Sequence, residues 1–123
     1  MNGTRCPKWK AWYRRMKPRR ELVVHRVGVE SLLVLPSNVQ RQAVRKMRQV
    51  IETSPEGAGY PLRGTLRGFR GIHSGRYRII WRLLTLEGGA QIPEVVYVGI
   101  RSEGDERDAY KEVEKVLGSL EGI

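Results

Sequence analysis

Six arginines fall between Arg63 and Arg82, with no lysine and no acid among them, in a stretch patterned as a β-hairpin around Gly75. From Arg76 onward the residues alternate. Tyr77, Ile79, Trp81 and Leu83 share one side, and Arg76, Arg78, Ile80 and Arg82 share the other. A period of two places these sets on opposite faces of a strand. The apolar face must lie against helices. Burying unpaired guanidinium groups costs more than it returns, so the arginine face is predicted to stay open, as one face of an antiparallel sheet can. The planar, permanently charged fork of arginine suits bidentate phosphate contact. The pattern therefore points to a phosphate-rich partner, RNA or DNA.

The rest of the chain supports a single domain carrying this hairpin. Its 123 residues can bury a core unaided. The net charge of +10 is unevenly spread. Residues 1–20 hold eight cations and no acid, which leaves fifteen basic against thirteen acidic residues in the remainder. Residues 1–20 read as a basic, flexible extension, and residues 21–123 as the folded domain. The interleaved Trp9, Trp12 and Tyr13 give the extension a second reading, a nucleic-acid arm that stacks on bases. One cysteine, Cys6, rules out an internal disulfide framework and makes the cytoplasm the expected compartment. No apolar run is long enough to span a bilayer.

Element by element, the β-branched residues 21–29 predict a strand, and 29–35 a helical turn closed by Pro36. Ser37-Asn-Val-Gln40 predicts a capping box before an amphipathic helix over 38–53. Residues 66–73 and 76–84 read as hairpin strands, and 93–100 as the last strand. A final helix opens at Gly104 and Asp105, with Ala109, Val113, Val116, Leu117 and Leu120 as its apolar stripe. The expected fold is α+β: a small, antiparallel-rich sheet of about four strands packed on an N-terminal helical hairpin, with a C-terminal helix.

Four segments in this order carry a resemblance. They are Leu62-Arg-Gly-Thr-Leu-Arg-Gly-Phe69, Gly75-Arg-Tyr-Arg-Ile-Ile-Trp81, Val95-Val-Tyr-Val-Gly-Ile-Arg101 and Asp108-Ala-Tyr110. Together they resemble the RelE/ParE superfamily of bacterial toxin–antitoxin toxins, over roughly residues 22–120. The resemblance implies the RelE-like fold and a cognate antitoxin as partner. For RelE-like members it also implies ribosome-dependent cleavage of mRNA. ParE-like members inhibit DNA gyrase instead, and a decayed RNA-binding relic is a third reading. Carried over residue by residue, Arg78 takes the place of the hairpin arginine and Arg101 that of the arginine ending the last strand. Tyr110 falls near the C-terminal tyrosine, after a lengthened connection. His73 stands where a lysine or arginine often precedes the turn.

The chemistry of such a site has three parts: removing the 2′-hydroxyl proton, stabilising charge on phosphorus, and protonating the departing 5′-oxygen. Arginine suits only the second, because its pKa stays above ~12. Arg78 and Arg101 are the candidates for it. Proton transfer then falls to His73 or Tyr110, the tyrosine requiring arginines to favour its phenolate. Arg63, Arg67, Arg70, Arg76 and Arg82 are the candidate RNA-binding cations. No metal or other cofactor is expected, since two histidines, one cysteine and no spaced carboxylates make no ligand set. Each residue also has a plain structural alternative. Arg78 could be a solvated strand residue, Arg101 could pair with Glu103 or Asp105, Tyr110 could be core, and His73 could serve the turn.

Overall fold

The computed structural model describes residues 22–53, 57–105 and 107–121, so the extension at 1–20 lies outside the described residues. In chain order the elements are β1 (Val23–Val24), α1 (Arg26–Leu33) and α2 (Ser37–Lys46), which runs on into a π-helical turn at Met47–Ile51. Next come β2 (Tyr60–Pro61), a 3-10 turn at Gly64–Leu66, β3 (Arg70–Ser74), β4 (Tyr77–Thr85) and β5 (Gln91–Ile100). Two short helices, α3 (Ala109–Lys115) and α4 (Leu117–Glu121), close the fold.

The sheet has five strands in the order β1, β5, β4, β3, β2. Only the β1–β5 pair is parallel. The α+β class and the helical hairpin are as the pattern predicts, and so is a C-terminal helix. That helix begins at Ala109 rather than at Gly104 and Asp105, because Asp108 caps it, and it breaks at Val116 into two pieces. β2 is an addition to the expected four strands, too short to show any alternation.

The strand expected over 21–29 is not present in that form. Val23 and Val24 pair with β5, and then His25 turns the chain into α1. His25 is buried and its Nδ1 accepts the Val27 N–H at 2.9 Å, which caps the new helix. Local β propensity loses here to a tertiary contact that only glycine allows. A Cβ on Gly28 would stand 2.9 Å from the Val95 carbonyl oxygen, so its absence lets α1 lie directly on β5. Ser31 fixes that approach. Its hydroxyl donates to the Gly28 carbonyl at 2.8 Å and accepts the Val98 N–H at 2.9 Å.

The predicted capping box also takes another form. Ser37 is already helical and Pro36 holds the cap position without a side-chain bond. Gln40 instead turns its amide back to the Leu35 carbonyl at 2.8 Å, tying α2 to the connection before it.

Both faces of the sheet are covered, which corrects the expectation of an open arginine face. On one side Ile72, Ile79, Trp81, Val95 and Val98 pack with Ala43, Met47 and Ile51 of the α2 segment. On the other, Ile80 and Val96 pack with Leu66, Phe69, Ala109, Val113 and Leu120. Ile80 interrupts the arginine set and is fully buried, so α3 and α4 find an apolar partner at mid-sheet. A register shift at Ile80/Trp81 helps, because Val96 is the extra residue opposite them and turns toward α3. The end of this face near the β3–β4 turn stays uncovered: His73 is exposed and Arg78 half-buried.

Candidate active site at the end of the sheet

The uncovered end collects the four residues singled out for chemistry. His73 and Arg78 are directly opposite each other in the β3–β4 ladder. Both alternate with Ile72 and Ile79, which point into the other core, so they share the α3 side of the sheet. Arg101 follows β5, where its N–H donates to the Arg76 carbonyl at 3.0 Å. Tyr110 enters from the first turn of α3. Its ring lies under the Arg101 guanidinium, 4.4 Å from centroid to Cζ.

Tyr60, on the short strand β2, joins these pieces. Its hydroxyl is hydrogen-bonded to the Tyr110 hydroxyl at 2.8 Å, and its ring meets the His73 imidazole edge-on at 5.5 Å. The site is thus one continuous chain of contacts, His73–Tyr60–Tyr110–Arg101, with Arg78 beside it. Sequence reasoning did not single out Tyr60. The available signal was an aromatic in a Gly-x-Gly-Tyr-Pro context just before the arginine block, too little to assign a contact to Tyr110.

The two arginines differ electrostatically. Arg101 donates to the buried Asp108 carboxylate at 2.7 Å and lies 3.9 Å from Glu103. The hydrogen bond it donates to Asp108 is the main reason its guanidinium is held more firmly protonated than usual. Asp105, the other partner considered for it, pairs with Arg107 instead. Asp108 also accepts from the Ser102 and Tyr110 N–H groups, the second of these capping α3. Burial is the largest single influence on its carboxyl and pushes it up. The bonds from Arg101, Ser102 and Tyr110 together outweigh that and hold it below the usual carboxylate range. Arg78 has no carboxylate partner among the described residues; its Nη1 donates to the Gly75 and Tyr77 carbonyls at 3.3 and 3.0 Å.

Tyr110 behaves differently from the phenolate considered above. Burial, then the hydrogen bond with Tyr60, pushes its hydroxyl up to about 12, and the opposing pull of Arg101 and Arg78 is too weak to reverse this. At neutral pH Tyr110 is a proton donor. Tyr60→Phe removes the hydrogen bond that contributes to the rise. It is expected to bring Tyr110 ionisation to lower pH, read as tyrosinate absorbance in an alkaline titration against the parent chain.

The candidate RNA-binding arginines divide. Arg63, Arg67 and Arg76 are exposed, the first two beside the 3-10 turn and the last at the hairpin tip. Arg70 points to the opposite core, where its Nε donates to the Ala58 carbonyl at 2.8 Å and its guanidinium lies over Trp81. Arg82 is bound to the buried Glu94 at 2.8 Å and to the Leu120 carbonyl at 3.1 Å. These two hold loops and helices in place and are not part of the open end. Among the described residues no group of three or more His, Cys, Asp or Glu stands close enough to hold a metal ion, and no helix is long and apolar enough to cross a membrane.

No protein-family model and no curated protein matches the sequence. A solved structure does match the fold: a chain of the RelBE2 toxin–antitoxin complex from Mycobacterium tuberculosis, with a TM-score of 0.59 and 20% identity. The match covers 69% of this chain and 94% of that one. The five-stranded sheet, its helical hairpin and its C-terminal helices are therefore those of the RelE-like fold.

Proposed function

We propose that this protein is the toxin of a type II toxin–antitoxin system. It acts as an endoribonuclease that cuts mRNA on the ribosome through attack of the 2′-hydroxyl on the adjacent phosphate, and a cognate antitoxin restrains it in the cytoplasm. The observation that carries the reading is the convergence of His73, Tyr60, Tyr110, Arg101 and Arg78 at one uncovered end of the sheet.

In this mechanism Arg78 and Arg101 face the phosphate and stabilise the charge that develops on it. The His73 imidazole accepts the 2′-hydroxyl proton. Tyr110, which stays protonated at neutral pH, donates to the departing 5′-oxygen. Tyr60 positions the Tyr110 hydroxyl and touches the imidazole, so the donor and acceptor are set relative to each other by one rigid ring.

The test is to map 5′ ends in cellular mRNA after brief induction, and in purified translation reactions with and without ribosomes. Cuts within translated codons that need the ribosome are the expected result. Intact mRNA together with blocked gyrase supercoiling would assign the chain to the gyrase inhibitors. Intact mRNA with RNA binding alone would mark a decayed site.

A further inference from the structure

Helix α2 and its π-helical continuation, Ser37–Lys46 and Met47–Ile51, contain Arg41, Arg45, Lys46 and Arg48 and no acid. All four cations are exposed, and none has a carboxylate partner among the described residues. Gln42, Arg45, Lys46 and Gln49 recur at helical spacing, so they form one face. With Ser74 and Gly75 of the β3–β4 turn this face encloses a groove of about 400 Å³.

We infer that this groove is a second RNA site, which holds the single strand flanking the scissile phosphate by its backbone. The inference rests on the nuclease reading for its choice of strand. Three features favour RNA. The lining is two cations, two amides and the polar turn, the donors that contact phosphate and sugar. It has no large apolar side chain to serve as the desolvated centre that a protein interface needs. The groove also ends where the active end begins, because the Gly75 carbonyl that borders it accepts from Arg78 Nη1 at 3.3 Å. Ser74 belongs to the α2 side of the sheet and Arg78 to the α3 side, so a strand occupying both must pass round the hairpin tip. Arg76 is exposed there.

The test measures the affinity of the full chain for a labelled, uncleavable 2′-O-methyl oligoribonucleotide across a potassium chloride series. Arg45→Gln combined with Lys46→Gln removes two phosphate contacts. The slope of log affinity against log salt is expected to become shallower by about 1.4, with binding roughly tenfold weaker at physiological salt. On mRNA carried by translating ribosomes, KM should rise while kcat holds. An unchanged slope and affinity overturn the proposal. So does a loss confined to an acidic peptide probe, which would make the groove a protein-docking surface. If the slope falls as expected but wild-type protein leaves mRNA on translating ribosomes intact, the nuclease reading fails and the groove stands.

Discussion

Arg78→Ala is expected to lower single-turnover RNA cleavage by about 10²–10³-fold, equivalent to about 2.7–4 kcal/mol of transition-state stabilisation, while the protein stays folded. The size follows from how the charge is held. The Arg101 charge is largely answered by Asp108, 2.7 Å away. Arg78 is half-buried and, among the described residues, bonds to backbone carbonyls and to no carboxylate, so its charge is available to a phosphate. Its bonds to Gly75 and Tyr77 aim the guanidinium before substrate arrives, so little reorganisation is left for the reaction itself. Those bonds lie at the hairpin tip, and losing them should move stability by no more than about 0.5 kcal/mol. Arg78→Lys keeps a charge but loses the planar fork, so its rate should fall between wild type and alanine. Cleavage and thermal melting measured on the same preparations separate the two effects. Wild-type rates in Arg78→Ala would remove Arg78 from the mechanism.

Much of this arrangement is legible in the sequence because period-two patterning survives folding. Ile79, Trp81 and Leu83 face one core as their alternation requires, and His73, Arg78 and Arg101 fall on the other side by the same count. The faces of the sheet are less legible. Ile80 sits among arginines and reads as an exception within a polar set. In the fold it is the residue that α3 covers, and its burial decides which cations stay open. Arg82 looks like Arg78 in the pattern, yet it is matched to Glu94, whose carboxylate is the cross-strand neighbour of Arg82 on β5. Pattern gives the side on which an arginine lies. It does not give the carboxylate that meets it.

The segment at 21–29 fails for a different reason. Val23, Val24, Val27 and Val29 have the composition of a strand, and the helix exists because Gly28 and Ser31 fit against β5. That contact joins residues about seventy positions apart, beyond the reach of any local window. Tyr60 was hidden in the same way, with its partner Tyr110 fifty residues along the chain. Asp108 could have been found. An aspartate directly before an apolar helical stripe is a cap signal, although sequence reasoning used it only as one of several favourable charges near the helix start.

Asp108→Ala is expected to be the most destabilising exchange in the site, by about 2–4 kcal/mol. Asp108 is 1% exposed and receives three bonds, from Arg101 and from the Ser102 and Tyr110 N–H groups. Loss of the α3 cap alone costs about 1 kcal/mol. Removing one member of a buried ion pair costs about 3–5 kcal/mol when both charges are buried, and the 28% exposure of Arg101 lowers that share. The melting temperature should fall by on the order of 10 °C. Cleavage should fall too, because Arg101 and Tyr110 both take their positions from this carboxylate. Asp108→Asn keeps the cap and loses the charge, so it isolates the ion pair. The folded carboxyl titrates below its unfolded value of about 3.9, so its contribution is complete above that value and is lost as the pH falls through the folded pKa. Wild type and Asp108→Asn should therefore differ most in denaturant unfolding at pH 7 and pH 5, and the gap should close only as the pH falls from about 4 through the lower folded pKa. A gap independent of pH would mean that Asp108 acts through shape and capping, with Arg101 held in place by its stacking on Tyr110.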